Sequence, residues 1–319
     1  MFTYDKEKIK ETFKKDIFPV LTERIRNAIN KINNNGYVEI EEIRLRTNKP
    51  LMVYKNNEGY FVDEFGNLRK DNGLIVYQEE ISKIYLLMCD YSLYSMEEDI
   101  KQGFLTIKGG HRVGIVGKVV SEAGKIKTIK NISSLNIRIA KEVKGCALEL
   151  VKNIYFDGVK HTLIVSPPGC GKTTILRDIV RLLSNGVDQI NLKGKKVAVV
   201  DERSEIACCY MGIPQKDVGI RTDVLDSCPK ADGLMMLVRS MSPDVIAVDE
   251  IGGIKDADAI MDAINTGVKI ISTAHGRDFD EILKRSGIRK LLENNCIDII
   301  VFLSNRHGPG TVENIMRIN

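Results

Sequence analysis

The chain has no tryptophan, and aromatic residues make up only 6% of its 319 positions. Proteins that hold single-stranded nucleic acid stack bases on aromatic side chains along basic grooves. Here such platforms are scarce, the net charge is only +4, and no basic run extends beyond a few residues. Apolar runs of eighteen or more residues are also missing, so no membrane span is expected. The opening MFTYDKEKIKETFKKDIF interrupts every short apolar group with charge and carries no signal-peptide pattern. A cytoplasmic chain is the expectation. The seven cysteines (89, 146, 170, 208, 209, 228 and 296) form no C-x-x-C pair, so neither a disulfide framework nor a zinc site is indicated. Internal repeats and low-complexity segments are lacking as well. What remains is an ordinary soluble balance, 43% hydrophobic and 28% charged, in a chain long enough for about two domains.

The character of the sequence changes near residue 150. Before it, residues 6–32 read as a charged amphipathic helix, with Ile9, Phe13, Ile17, Val20 and Leu21 near helical spacing. After the turn NNNGY come short alternating runs, VEIEEIRLRT, PLMVYK and YFVDEF, which predict strands. A helical stretch over 78–101 and two more strand-like runs, GGHRVGIVGKVV and SSLNIRIAK, complete an α+β region assigned to residues 1–148. Over 149–319, TLIVS, KVAVVDE, DVIAVDE, KIISTAH and DIIVFLS alternate with helical patterns. Such Val- and Ile-rich runs are those of parallel strands buried on both faces. A doubly wound α/β domain follows, with its ligand expected at the carboxyl ends of the strands.

The polar residues gather at those ends. Ser166-Pro167-Pro168-Gly169-Cys170-Gly171-Lys172-Thr173-Thr174 follows one apolar run and precedes the helical TTILRDIVRLL. It is a phosphate loop of the pattern G-x-x-x-x-G-K-[ST] with Ser166 in place of the first glycine. The chemistry needs backbone N–H groups aimed at phosphate in front of a helix N-terminus. Gly169 and Gly171 permit that backbone, Lys172 reaches the β and γ phosphates of ATP, and the Thr173 hydroxyl suits Mg²⁺. A small residue such as Ser166 is tolerable where the strand exits. For Cys170 two readings stand: a small residue that fits the loop, or a redox-active thiol activated by the helix amides.

SPDVIAVDEIGG ends an apolar run in Asp249 and Glu250, the pattern of a Walker B strand, with Asp249 for the metal shell and Glu250 near the γ-phosphate. KKVAVVDERSEIA ends in Asp201, Glu202 and Glu205. If that strand neighbours the loop strand, Glu202 faces the γ-phosphate and orients or deprotonates the attacking water; otherwise these acids form a solvated turn. Which glutamate is the base stays open. Thr273 and His275, in KIISTAHG, stand at a further strand end where they can sense the γ-phosphate.

In this order, phosphate loop, acidic strand end, Walker B and T-A-H, the sequence resembles the secretion ATPase superfamily of type II and type IV systems. It resembles more closely the stage III sporulation protein AA family, through EEIRLRTNKPL, GGHRVGIVGK, SSLNIRIAKE, SPPGCGKTT, VVDERSEIA, GIRTDVLDSCPK and MSPDVIAVDEIGG. The secretion ATPases commonly carry Gly-Glu where Asp249-Glu250 stands. The resemblance implies a RecA-like P-loop NTPase core with a smaller α+β amino-terminal domain and Mg²⁺-dependent ATP hydrolysis. It also implies a homo-hexamer working in the mother cell, peripheral to a membrane-embedded channel between mother cell and forespore. In such rings an arginine of the amino-terminal domain approaches the γ-phosphate across the subunit boundary, and Arg138, Arg112 and Arg221 are the candidates. Because the same core serves nucleic-acid motors, a nucleic-acid-dependent RecA-like NTPase is the alternative; the scarcity of aromatics and basic runs speaks against it.

Overall fold

The structure, a computed structural model, describes residues 6–318 apart from 57, 91–96 and 123. The chain divides between Lys141 and Glu142 into two compact units.

In the amino-terminal unit the expected single helix over 6–32 is broken. Helix α1 (Lys6–Thr12) widens into a π turn over Phe13–Ile17, tightens over Phe18–Val20, and yields to an extended Leu21 before α2 (Glu23–Asn30). Pro19 is the cause, since it lacks an N–H and its ring clashes with the carbonyl one turn back. The break turns Phe13, Ile17, Phe18, Leu21, Ile25 and Ile29 into the core and leaves Val20 half-buried, against the expected helical stripe. The strands β1 (Ile40–Arg46), β2 (Lys49–Pro50), β3 (Met52–Lys55), β4 (Glu58–Val62), β5 (Leu68–Arg69) and β6 (Ile75–Val76) follow. Then come α3 (Gln78–Met88), α4 (Glu97–Lys101), β7 (Phe104–Ile107), β8 (His111–Glu122) and β9 (Lys125–Arg138). The part of the expected 78–101 helix at 91–96 lies outside the described residues. An antiparallel sheet runs in the order β5-β4-β3-β1-β9-β8-β7, and β2 pairs with β6 apart from it.

The carboxy-terminal unit begins with α5 (Leu148–Ile154), β10 (Thr162–Ser166), α6 (Lys172–Asn185), β11 (Val197–Asp201), β12 (Thr222–Asp226) and α7 (Lys230–Met241). It continues through β13 (Val245–Val248), α8 (Ile254–Asn265), β14 (Lys269–His275), α9 (Phe279–Leu283), α10 (Ser286–Glu293), β15 (Ile299–Ser304) and β16 (Thr311–Arg317). The sheet order is β12-β11-β13-β14-β10-β15-β16, parallel except for β16. Alternate residues feed two apolar layers. Ile164, Val199, Ala247 and Ile271 pack with Leu176, Ile179 and Val180 of α6. Leu163, Val165, Ala198, Val200 and Ile246 pack with Leu234 of α7 and Ile260 of α8 on the other face. Burial on both faces explains why these strands read as unbroken apolar runs. Because the inner strands are parallel, their polar ends emerge along one edge, with Ser166 level with His275.

Candidate nucleotide site

Ser166 ends β10 and is buried; its hydroxyl donates to Pro167 O at 2.8 Å. Gly169 and Gly171 take left-handed backbone, φ +74° and +82°, where a side chain is strained. With Gly171 as its N-cap, α6 starts at Lys172, so its first amides lack intrahelical partners and face the loop. The turn before β16 braces the loop from outside, Gly310 N–H donating to Cys170 O at 2.8 Å. Cys170 is buried, its thiol 3.7 Å from Pro168 O.

Lys172 is buried at the loop's centre. Its ammonium lies 3.1 Å from Ser166 O, 3.3 Å from Ser166 Oγ, 3.3 Å from Pro167 O and 3.0 Å from His275 Nδ1. Burial lowers its pKa, against the pull of Asp249. An ammonium only donates, so His275 Nδ1 accepts, and the ring proton belongs on Nε2, 3.3 Å from Glu250 Oε1. Glu250 also receives Arg203 Nη1 at 2.5 Å. Arg203, Glu250, His275 and Lys172 thus form one polar series across the strand ends.

Asp249 is held from two elements. Thr173 Oγ1 of α6 donates to its Oδ2 at 2.7 Å, and the buried Thr273 hydroxyl of β14 donates to Oδ1. Thr273 in turn accepts from Glu250 N–H at 2.9 Å. Glu250 has φ +56°, an uncommon conformation for a residue with a side chain. Thr173 Oγ1 and the Asp249 carboxylate are adjacent hard oxygens of the kind Mg²⁺ takes alongside phosphate and water, so the donor set fits that ion.

The acidic end of β11 is not beside the loop strand. β13 and β14 intervene between β11 and β10, so the condition for Glu202 facing the γ-phosphate is not met. Glu202 instead pairs with Lys230 of α7. Asp201 is buried and accepts the N–H groups of Glu205 (2.8 Å), Ile206 and Ala207 (2.8 Å); burial raises its pKa against those bonds. Arg177 of α6 donates to Ile206 O and, at 2.6 Å, to Glu205 O. So fixed, Glu202 and Glu205 share a hollow with Arg203, Lys230, Asp249 and Glu250. Arg203 and Lys230 lie inside the segments VVDERSEIA and GIRTDVLDSCPK with no role assigned there, and Arg177 lies in no motif; sequence reasoning missed all three.

The candidate arginines divide. Arg112 of β8 lies directly opposite Arg138 of β9, which lies opposite Glu42 of β1. Arg138 Nε is 3.3 Å from Glu42 Oε1, and the Arg112 guanidinium stacks 3.7 Å from the Phe104 ring centroid. Like charges face to face in a sheet are unfavourable, and Glu42 offsets them. Arg221 belongs elsewhere: its Nη1 donates to Ser184 O at 2.8 Å, near the carboxyl end of α6. At about 1.5 Å per residue that is nearly the length of the helix away from Lys172.

The segment after β13 is pinned by glycine on glycine. Gly287 N–H donates to Gly252 O at 3.3 Å, and a Cβ on Gly287 would stand 2.2 Å from Gly253 O. Gly287→Ala is therefore expected to lower stability by about 1–3 kcal/mol through overpacking. A denaturant midpoint equal to wild type would contradict this.

This sheet, with its loop, Walker-type acids and smaller amino-terminal unit, defines the fold of the P-loop secretion ATPases, a RecA-like core. The solved ATPase DotB of Yersinia pseudotuberculosis superposes with a TM-score of 0.56 at 14% identity, over 94% of this chain and 81% of that one. The pilus retraction motor PilT, solved with bound ADP, gives 0.54 at 16% identity over 94% and 78%. The chain belongs to the family Sporulation stage III, protein AA, which matches residues 11–318. It is 43% identical over 300 residues to stage III sporulation protein AA of Bacillus subtilis (strain 168), covering 94% of each.

Proposed function

We propose that this chain binds ATP with Mg²⁺ in the loop 166–174 and hydrolyses it as the motor of a secretion-type ring. The observation that carries the reading is the direct bond from Thr173 of the loop helix to Asp249 of the Walker B strand, beside a buried Lys172. PilT, which shares the fold, was solved with ADP. Thr173 and Asp249 would hold Mg²⁺, which supplies charge neutralisation on the phosphates. Loop amides and Lys172 bind and orient the phosphates, and Glu250 takes a proton from the attacking water. His275 ties Glu250 to Lys172 and so links the base to the occupancy of the loop.

The ring is a homo-hexamer in which Arg138 or Arg112 of a neighbouring copy reaches the γ-phosphate. It serves in the mother cell, docked on membrane-embedded channel proteins between mother cell and forespore. Among the described residues no helix is long and apolar enough to cross a membrane, which suits attachment through partners. Measuring ATP turnover alongside mass in solution, with and without Mg²⁺-ATP, tests the reading. Turnover is expected to accompany a rise in mass to a hexamer, and Arg138→Ala or Arg112→Ala chains mixed with Lys172→Ala chains are expected to regain part of it. A monomer that hydrolyses ATP at full rate would sink the ring, and mixtures that recover nothing would sink the trans arginine.

A further inference from the structure

Arg285 has been assigned nothing by motif. It precedes α10 and is half-buried, yet among the described residues its guanidinium makes no hydrogen bond or ion pair. A buried or half-buried cation ordinarily finds an anion, since desolvating it unpaired is costly.

Its place is fixed from both sides. Its own N–H donates to Ile282 O at 3.0 Å, and two residues on Gly287 is clamped against Gly252 and Gly253. The guanidinium lies beside Gly252: Arg285 Nη1 is 3.4 Å from where a Cβ on that glycine would stand, an ordinary contact distance. The fork therefore lies against the backbone two residues beyond Glu250. The neighbouring acids are engaged elsewhere, Glu250 by Arg203 and His275, Asp249 by Thr173 and Thr273. Arg285 thus stands beside the segment that carries Asp249 and Glu250 with no carboxylate of its own, an arrangement that becomes favourable when a polyanion enters.

We propose that Arg285 grips the terminal phosphate of the nucleotide held by its own chain's loop, discriminating a triphosphate from a diphosphate. The inference rests on the reading of residues 166–174 as a nucleotide site. A planar guanidinium offers two parallel donors to phosphate oxygens, which an ammonium cannot. Lys172 would then serve both nucleotides and Arg285 only the longer one. Being in the same chain, this contact does not depend on ring assembly, unlike the arginines of the amino-terminal unit.

The test titrates Mg²⁺ complexes of a non-hydrolysable ATP analogue and of ADP into full-length wild type, R285A, R285K and K172A. R285A is expected to lose roughly 10- to 100-fold in affinity for the triphosphate, as for one or two charge-assisted bonds, with ADP affinity held within about twofold. R285K is expected to fall between, because it keeps the charge and loses the fork. K172A weakens both nucleotides. If R285A binds both with the wild-type ratio, or weakens both alike, the arginine only packs α10 and the inference fails while the loop reading survives. A wild type that binds neither nucleotide overturns both. Should R285A not fold, R285K decides: an unchanged triphosphate-to-diphosphate ratio overturns the inference.

Discussion

Replacing Lys172 with alanine is expected to lower the affinity for Mg²⁺-ATP by about 10²-fold or more. Each charge-assisted bond to phosphate contributes about 1.5–3 kcal/mol, and in the proposed reading Lys172 reaches two phosphates. Without nucleotide the ammonium's hydrogen-bond partners are the carbonyls of Ser166 and Pro167, the Ser166 hydroxyl and His275 Nδ1, while Asp249 and Glu250 attract it from farther off. Its pKa is depressed by burial, so the charge sits there at a cost that a triphosphate would remove. Taking the charge away should therefore abolish tight binding while leaving the melting temperature of the nucleotide-free protein nearly unchanged, because a desolvated cation and its solvation deficit leave together. Calorimetric titration checks the first part and thermal unfolding the second. Wild-type affinity in Lys172→Ala would end the reading of 166–174 as a phosphate loop.

Much of this site could be read from the residues, and for a physical reason. A strand buried on both faces must be apolar throughout, so TLIVS, VAVVD and VIAV announce themselves, and each is buried at every position. The adjacency of Thr173 and Asp249 also follows from the loop and Walker B patterns. Strand order does not, because periodicity reports which faces are buried and says nothing about neighbours. β13 and β14, both later in the chain than β11, insert between it and β10, and together they remove Glu202 from the loop strand's side. Arg203, Lys230 and Arg285 escaped notice because isolated charges in loops and at helix starts carry no period. Two of the three are paired across the fold, Arg203 with Glu250 and Lys230 with Glu202. Arg221 misled in the opposite sense: its setting GIRTD matches a family segment, yet its guanidinium serves the end of α6. Pro19 was visible in the sequence, but the apolar spacing around it outweighed the one residue whose missing N–H decides the break.

Exchanging Glu250 for glutamine is expected to slow hydrolysis by on the order of 10²–10⁴-fold with ATP affinity changed only a few-fold, as for loss of a general base. Glutamine keeps the shape and loses the basic oxygen. The contact it weakens, to the exposed Arg203, contributes little to stability, about 0–1 kcal/mol for a pair in water. Glu250 is favoured over Glu202 by position: one strand, β14, separates its strand from β10, and His275 at the end of β14 connects it to Lys172. Glu202 stands at the end of the next strand out, and its carboxylate is paired with Lys230. Glu202→Gln is therefore expected to cost under about tenfold in kcat, below the range for a proton-transferring residue. Steady-state kcat and KM for the two variants separate the roles, and a large loss in Glu202→Gln beside a near-normal Glu250→Gln would exchange them. The left-handed backbone of Glu250 bears on the same choice. A side-chain residue held at φ +56° costs about 1–3 kcal/mol unless its surroundings fix it, and Thr273 fixes it through the Glu250 amide. That hydroxyl also grips Asp249, so the orientation of the proposed base and of the proposed metal ligand depends on one threonine of the intervening strand.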